Sequence, residues 1–557
     1  MADGVEARHT AARLIVEALE RNGIERIFCV PGESYLALLD ALHDSPIAVT
    51  LCRQEGGAAM AAEAWGKLTG RPGIVMVTRG PGATNASAGV HVGRQDSTPM
   101  IVFIGQVGRT MRGREAFQEI DFRRMFGEMA KWIEEVDSAD RVPELISRAF
   151  HEATSGRPGP VVLALPEDVL CETSAAANPH LWVQVETYPG LTQMAELQKM
   201  LWRAKRPFVI AGGSRWSAPA VASLQRFAER FRLAVGCSWR RQGLFDNDHP
   251  NYAGDIGVGI NPVLADRVKE ADLLLLIGGR MSEMPSGGYT LIDIPEPRQA
   301  LVHVHPGAEE LGRLYRPTLA INASPTAFAA ALEGLQPPNE IPWTGLAEEA
   351  NADYRKWSAP VMNPGPVQLS RIVAWLRERL PHDAVIASGA GNYSTWVHRF
   401  FRHRRFGTQL APTSGSMGYG LPAGLAAKLR HPERTVVVFA GDGDFHMTMQ
   451  EFVSAVQAGA NLIVVVVNNG IHGTIRMHQE RHYPERPIAT DLRNPDFAAC
   501  ARACGGHGET VATTEEFASA FERCIAADKP AIIDLAFDPE AITPTRTMSE
   551  IRGSGRR

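Results

Sequence analysis

The sequence predicts an α/β protein made of three doubly wound parallel-sheet domains, and three observations carry that prediction. From Thr435 to Asn469 an apolar run, Val436 to Ala440, ends in Gly441-Asp442-Gly443. An amphipathic segment follows from Thr448 to Gly459, and a second apolar run, Leu462 to Val467, ends in Asn468-Asn469. Short apolar runs bounded by glycine turns and separated by a helical pattern read as neighbouring strands of a buried parallel sheet. The first third of the chain shows the same alternation. Its strands RIFCV, VTLC, GIVMVT and MIVFIG are separated by helical segments that open at Ser34, at about Glu55 and after Arg79-Gly80-Pro81-Gly82. The middle third repeats it in RPFVIAGG, RLAVGCSW, ADLLLLIGGR and QALVHVHP. Alternating strands and helices place helices on both faces of each sheet.

The expected boundaries follow from composition. An N-terminal domain covers residues 1–175, a central Rossmann-like domain 191–337, a C-terminal domain 366–545 and a tail 546–557. ETSAAANPH (172–180) and the proline-containing QPPNEIPW are linker candidates, and a helix is expected from Leu369 to Leu380. With 57 basic and 62 acidic residues the formal charge is -5, which offers nucleic acid or an anionic membrane no electrostatic attraction. No apolar run is long enough to span a bilayer, so no membrane partner is expected. The amino terminus MADGVEARHTAARLIVEALERNG reads as an amphipathic helix rather than a signal peptide, and a cytoplasmic location is expected. The seven cysteines are scattered. Cys500 and Cys504 share a helix face but have no second pair, so buried thiols are expected rather than metal ligands.

Two parallel strands joined by a helix usually lie side by side with their carboxyl ends pointing the same way. Asp442 and Asn469 therefore face each other across one crevice. A carboxylate oxygen and an amide oxygen beside glycine amides suit a divalent cation carrying a diphosphate, because Mg²⁺ takes few protein ligands and completes its shell from phosphate and water. Glu55 stands just after a strand at the mouth of its sheet, followed by Gly56, Gly57 and small residues. Taken alone it reads as a helix N-terminal carboxylate favoured by the macrodipole.

Gly-Asp-Gly followed by 24 residues and Asn-Asn resembles the signature of thiamine diphosphate enzymes. The resemblance implies thiamine diphosphate and Mg²⁺ as cofactors, with the metal on Asp442, Asn469 and the carbonyl of Ile471. It also implies diphosphate contacts from the amides of Gly443 and Asp444, from the His472-Gly473-Thr474 turn, and from Asn392 and Tyr393 after the strand AVIAS. RQEGGAAMAAEAWGKLTGRPG, VTRGPGATNASAGV and DSTPMIVFIGQV resemble the acetolactate synthase branch of these enzymes. There the glutamate, here Glu55, hydrogen-bonds N1′ of the aminopyrimidine and so makes the cofactor's own 4′-nitrogen the base. By the same resemblance Gly415 offers its carbonyl to the 4′-amino group, Met417 wedges between the two rings to bend the cofactor, and Gln118 lies near substrate.

The likeness also has departures. Relatives carry a motif like GxRFDDR whose last Arg grips the second 2-oxo acid, and Met284 stands at that position here. They usually have Trp where His478 stands, and His478 then faces the substrate instead. The family's central domain binds FAD in some members and ADP in others. Gly212-Gly213 and Gly278-Gly279-Arg280 are compatible with a nucleotide phosphate there, and equally with strand-end turns. The tail AITPTRTMSEIRGSGRR either folds over the cofactor mouth or ends as a disordered basic segment. The expected activity is carbon-carbon bond cleavage or carboligation on 2-oxo acids, acetolactate synthase-like. The alternative is a 2-oxo acid decarboxylase or 2-hydroxyacyl-CoA lyase. The partners implied are a small 2-oxo acid or acyl-CoA and a second copy of the chain, in a homodimer or a dimer of dimers.

Overall fold

Three six-stranded, fully parallel sheets organise the chain. The computed structural model describes residues 8–177 and 181–555; parts of the first predicted helix, of the first linker and of the tail lie outside them. The chain divides into two compact units, Met1–Val185, which carries one of these six-stranded sheets and a two-stranded antiparallel pair, and Glu186–Arg557, which carries the other two.

From edge to edge the first sheet runs Ala48–Leu51, Arg26–Cys29, Gly73–Val77, Met100–Gln106, Pro160–Pro166, Trp132–Glu135. The last runs Gln409–Leu410, Val385–Ser388, Val436–Gly441, Ile463–Asn468, Ala531–Ala536, His507–Val511. Counted along each domain, both sheets have the order 2-1-3-4-6-5. The middle sheet runs Tyr252–Ile256, Ala234–Ser238, Pro207–Ala211, Leu273–Ile277, Ala300–His305, Leu319–Asn322, which is the order 3-2-1-4-5-6. In open α/β sheets ligands bind beyond the carboxyl ends of the strands, where the strand order reverses. In the last sheet that point lies between Val385–Ser388 and Val436–Gly441, and the chain there continues into Gly389-Ala390-Gly391-Asn392 and Asp442-Gly443-Asp444.

The central strands are continuous apolar runs because both faces are covered. Val436 to Ala440 and Ile463 to Val467 are almost wholly removed from solvent, and Trp396, Phe400 and Phe521 pack on one side. Where sequence reading found no strand, the pattern is broken. Tyr252–Ile256 contains Gly254 at φ +124° and an aspartate, and Gln409–Leu410 is two residues long. The segment expected to be helical from Thr448 to Gly459 forms the helix Glu451–Gln457, and a separate short helix, Asp442–His446, precedes it where a glycine turn was expected. QPPNEIPW leads into a helix, Leu346–Trp357, that packs Tyr354 against the central core. Cys504 is exposed and Cys500 partly so, contrary to the expectation of buried thiols: the helix Phe497–Ala503 buries Phe497, Ala498 and Ala501 instead of Cys500, and Cys504 caps its C-terminal end. Among the described residues no helix is long and apolar enough to cross a membrane.

In the central domain Gly213 (φ +70°) lies so close to Gly278 that a Cβ would sit 1.8 Å from the Gly278 carbonyl oxygen. These glycines are therefore accounted for by contact between two backbone turns.

Candidate active site

The C-terminal candidates converge on one cavity. Asn392, Tyr393, Gly415, Met417, Asp442, Gly443, Asp444, Asn469, Ile471, His472, Gly473 and Thr474 all line it, with Ile475, Phe537, Ala541 and Ile542 on its apolar side. His478 does not line it. It is an exposed residue of the helix Gly473–His482, stacked on His482 with ring centroids 6.4 Å apart, and partial desolvation together with Arg481 and His482 lowers its pKa. The hydrophobic pattern of GTIRMHQERH is too weak to fix a facing side from sequence. In the structure Met477 and Glu480 are its buried residues.

Asp442 opens the short helix after the strand Val436–Gly441 and is 2% exposed. Its Oδ1 accepts from the Gly443 amide (3.0 Å), and its Oδ2 accepts from the Gly470 amide (2.8 Å) and from Asn494 Nδ2 (2.7 Å). Burial raises its pKa against those three donors. A neighbouring cation is the charge that would keep it ionised. Asn469 follows the adjacent strand, and its Oδ1 accepts from the Ile471 amide at 3.2 Å. The loop is held from outside, where His472 N donates to Thr490 O and Leu492 N to Gly470 O.

Asp444 has a different part. Its carboxylate is closed off from solvent and accepts from Gly418 N (2.6 Å), Ala390 N (3.3 Å) and the Tyr393 hydroxyl (2.6 Å). Burial pushes its pKa up to about 6. One side chain thus ties together the Met417 loop, the loop after Val385–Ser388 and the first turn of Tyr393–Phe400. Tyr393 lines the cavity, but its hydroxyl is spent on Asp444 and on Phe439 O. Asn392 Oδ1 accepts from the Thr474 hydroxyl at 2.9 Å and joins the two sides of the cavity. Gly418 completes the clamp by accepting from Thr448 Oγ1 at 2.7 Å. A Cβ on Gly415 (φ +67°) would meet nothing within 4 Å, so the space beside its backbone is open.

These residues fit a Mg²⁺-diphosphate. The helix Gly473–His482 has no side-chain cap, and its first intrahelical bond is from Arg476 N to His472 O. The amides of Gly473, Thr474 and Ile475 precede that bond at the cavity wall, where a helix start favours an anion. Oxygen donors from Asp442 and Asn469 stand at the adjacent strand ends. No cluster of three or more His, Cys, Asp or Glu that could hold a metal occurs among the described residues.

In the first unit Glu55 begins the helix Glu55–Thr69, with Gln54 Oε1 capping the Gly57 amide at 3.0 Å. The Glu55 side chain is buried and its Oε2 accepts from Asn85 Nδ2 at 2.9 Å. Gly56 and Gly89 admit the neighbouring helix Gly80–Asp96: a Cβ on Gly89 would lie 2.4 Å from Ala59 Cβ, and one on Gly56 3.0 Å from Asn85 O. The small residues after Glu55 are thus filled by that helix. Gln118, at φ +63°, places its carbonyl on the Gly80 amide (3.0 Å) at the start of the same helix, whose Gly82 lies against the Glu55 carboxyl. Asn85 was not singled out from sequence, although TNAS places a helical amide where it can reach Glu55.

The tail's described residues are ordered. Thr547 and Glu550 form a capping box on the helix Met548–Gly553, and Arg552 Nε and Nη2 each lie 2.9 Å from a Glu480 carboxylate oxygen. Met548 and Ile551 join Met477 and Ile542, so the tail braces the helix whose start lines the cavity. The bonds to Arg552 hold the Glu480 carboxyl below the ordinary range. A carboxyl depressed in this way stabilises the docked tail above its free pKa of about 4.3 and loses that contribution as pH falls through the docked value. Glu480→Ala is expected to weaken docking by about 1–3 kcal/mol. Trypsin cleavage after Arg546 should then be faster than in the unchanged protein at neutral pH, and an unchanged rate would show that the ion pair does not hold the tail.

Three family models match the chain in order. The N-terminal thiamine pyrophosphate-binding domain matches residues 9–125, the central domain of thiamine pyrophosphate enzymes 194–332, and the C-terminal thiamine pyrophosphate-binding domain 389–535. The chain belongs to the thiamine diphosphate-dependent enzymes. Within them it is similar to the acetolactate synthase isozyme 2 large subunit of Escherichia coli, at 30% identity over 531 residues covering 95% of each chain. It is 29% identical to a probable acetolactate synthase large subunit of Methanocaldococcus jannaschii, over 96% of this chain and 93% of the relative. An acetolactate synthase of Mycobacterium bovis is 30% identical over 96% of this chain and 88% of the relative.

Proposed function

We propose that this enzyme is a Mg²⁺-dependent, acetolactate synthase-like carboligase or lyase acting on 2-oxo acids. The observation that carries the reading is the pairing of Asp442 and Asn469 at adjacent strand ends beside the uncapped start of Gly473–His482. In this reading Asp442, Asn469 and the Ile471 carbonyl hold the metal. The amides of Gly443, Asp444, Gly473 and Thr474, with Asn392 and His472, receive the diphosphate, while Tyr393 supports them through Asp444. Glu55 would share a proton with the pyrimidine N1′, Gly415 would accept from its 4′-amino group and Met417 would pack against the rings. The bound cofactor supplies a nucleophilic carbon and an electron sink; the chain supplies orientation, proton placement and exclusion of water. Gln118, beside the helix that contacts Glu55, is assigned to the substrate side.

A second reading, a decarboxylase or 2-hydroxyacyl-CoA lyase, is favoured by two positions. Met284 provides no cation for an acceptor carboxylate, and His478 is an exposed residue outside the cavity lining. Incubation with pyruvate separates the two: acetolactate is expected from the first, and carbon dioxide or aldehyde without ligation from the second. Absence of turnover with every 2-oxo acid and acyl-CoA in a panel would sink both. The 3-2-1-4-5-6 order of the central sheet is compatible with FAD or ADP at its reversal point, and an absorption spectrum of the purified protein tests for flavin. We further assign a homodimer or dimer of dimers, which a sedimentation dilution series tests; a fully active monomer would contradict it.

A further inference from the structure

Asn494 lies 52 residues beyond Asp442 in sequence and outside the cavity lining, yet its side-chain amide is hydrogen-bonded to Asp442 from behind and to two further side chains. Both hydrogens of its Nδ2 are used, one on Asp442 Oδ2 (2.7 Å) and one on Asn468 Oδ1 (2.8 Å). Its Oδ1 lies 3.2 Å from His446 Nε2, which donates when that nitrogen carries the proton. Asn468 is oriented in turn, since its Nδ2 donates to Asp534 Oδ1 at 3.0 Å. Turning the Asn494 amide over would set its oxygen against the Asp442 carboxylate and the Asn468 oxygen, and would leave His446 facing an NH₂ group. Only one orientation satisfies every partner.

The consequence falls on Asp442. Its Oδ2 already accepts two hydrogen bonds, from Gly470 N and from Asn494, which occupy both lone pairs. Oδ1 accepts one from the Gly443 amide and is the oxygen left for a cation. We propose that Asn494, held by His446 and Asn468, is the positioning residue that fixes the Asp442 carboxylate so that Oδ1 is presented to the divalent cation. The inference rests on the Mg²⁺-diphosphate reading of the cavity. It also accounts for the first asparagine of the Asn468-Asn469 pair, which reaches Asp442 only through Asn494.

The test is metal affinity rather than turnover. Free Mn²⁺ is counted by electron paramagnetic resonance during titration of the protein with thiamine diphosphate present, for the unchanged chain, Asn494→Ala, His446→Gln and His446→Leu. Loss of an outer contact to a metal ligand typically weakens metal binding by about 10–100-fold, and that is the expected rise in Kd for Asn494→Ala. His446→Leu should show a smaller rise in the same direction, and His446→Gln, whose amide can still donate to Asn494 Oδ1, should recover the unchanged value. The thermal midpoint of the metal-free protein is measured in parallel. If Asn494→Ala does not fold, the two His446 variants decide the matter: equal Kd for the Leu and Gln forms would overturn the proposal, as would a Kd within twofold of the unchanged protein in folded Asn494→Ala. Failure of the unchanged protein to bind Mn²⁺ with the cofactor would instead overturn the reading of the cavity itself.

Discussion

Glu55→Gln is expected to slow hydrogen-deuterium exchange at C2 of the bound cofactor by about two to four orders of magnitude, the usual contribution of a positioned acid or base. Glutamine keeps the length of the side chain and can still accept from Asn85 Nδ2, so the packing of Glu55–Thr69 on Gly80–Asp96 should survive. What it loses is the capacity to hand a proton to a ring nitrogen. Burial of the carboxyl at a helix start removes water as a substitute donor. Quenched-flow exchange followed by proton magnetic resonance measures the effect. Cofactor affinity should stay within a few fold, because the diphosphate end is held by other residues. Exchange at the unchanged rate would remove Glu55 from its role.

Asp442→Ala is expected to abolish the Mg²⁺-dependent part of thiamine diphosphate binding. The loss should exceed the roughly 10–100-fold that follows from disturbing an outer contact, because the ion loses its charged protein ligand itself. Three donors that now converge on the carboxylate, the Gly443 and Gly470 amides and Asn494 Nδ2, would face an apolar methyl group. Their rearrangement should also loosen the loop that carries Asn469 and Ile471. Calorimetric titration with cofactor, with and without Mg²⁺, reads the difference. Equal affinity in the two titrations of the variant, together with a marked difference for the unchanged protein, is the expected result. A persistent Mg²⁺ effect in Asp442→Ala would place the metal elsewhere.

The part of the site legible in sequence is the part built from strand ends. Asp442 and Asn469 terminate neighbouring parallel strands, and the fixed direction of a right-handed crossover brings such ends together whatever surrounds them. The position of Glu55, as the first helical residue after a strand, was legible for a similar reason. Asn494 was not, because its position depends on how the segment Thr490–Leu492 folds back on Gly470–His472, a register that no local pattern encodes. The inward use of Asp444 and Tyr393 was hidden as well: a polar side chain beside a glycine turn reads the same whether it meets a ligand or a backbone amide. The exposure of His478 and the docking of the tail both depend on which side of one short, mostly polar helix is covered. Met477 and Glu480 receive the tail there, through Ile551 and Arg552. In the central domain the paired glycines at 212–213 and 278–279 signal close backbone approach, which a phosphate and a second turn satisfy equally well.

The most direct measurement is a crystal structure of the protein with thiamine diphosphate and Mn²⁺, in which the anomalous signal locates the metal. A peak is expected at coordination distance, about 2.0–2.3 Å, from Asp442 Oδ1 and the Asn469 side-chain oxygen. The pyrimidine N1′ should lie about 2.6–3.2 Å from the carboxyl of a Glu55, in the same chain or a second copy. A metal peak away from Asp442, or a pyrimidine ring with no Glu55 carboxyl in reach, would contradict this reading.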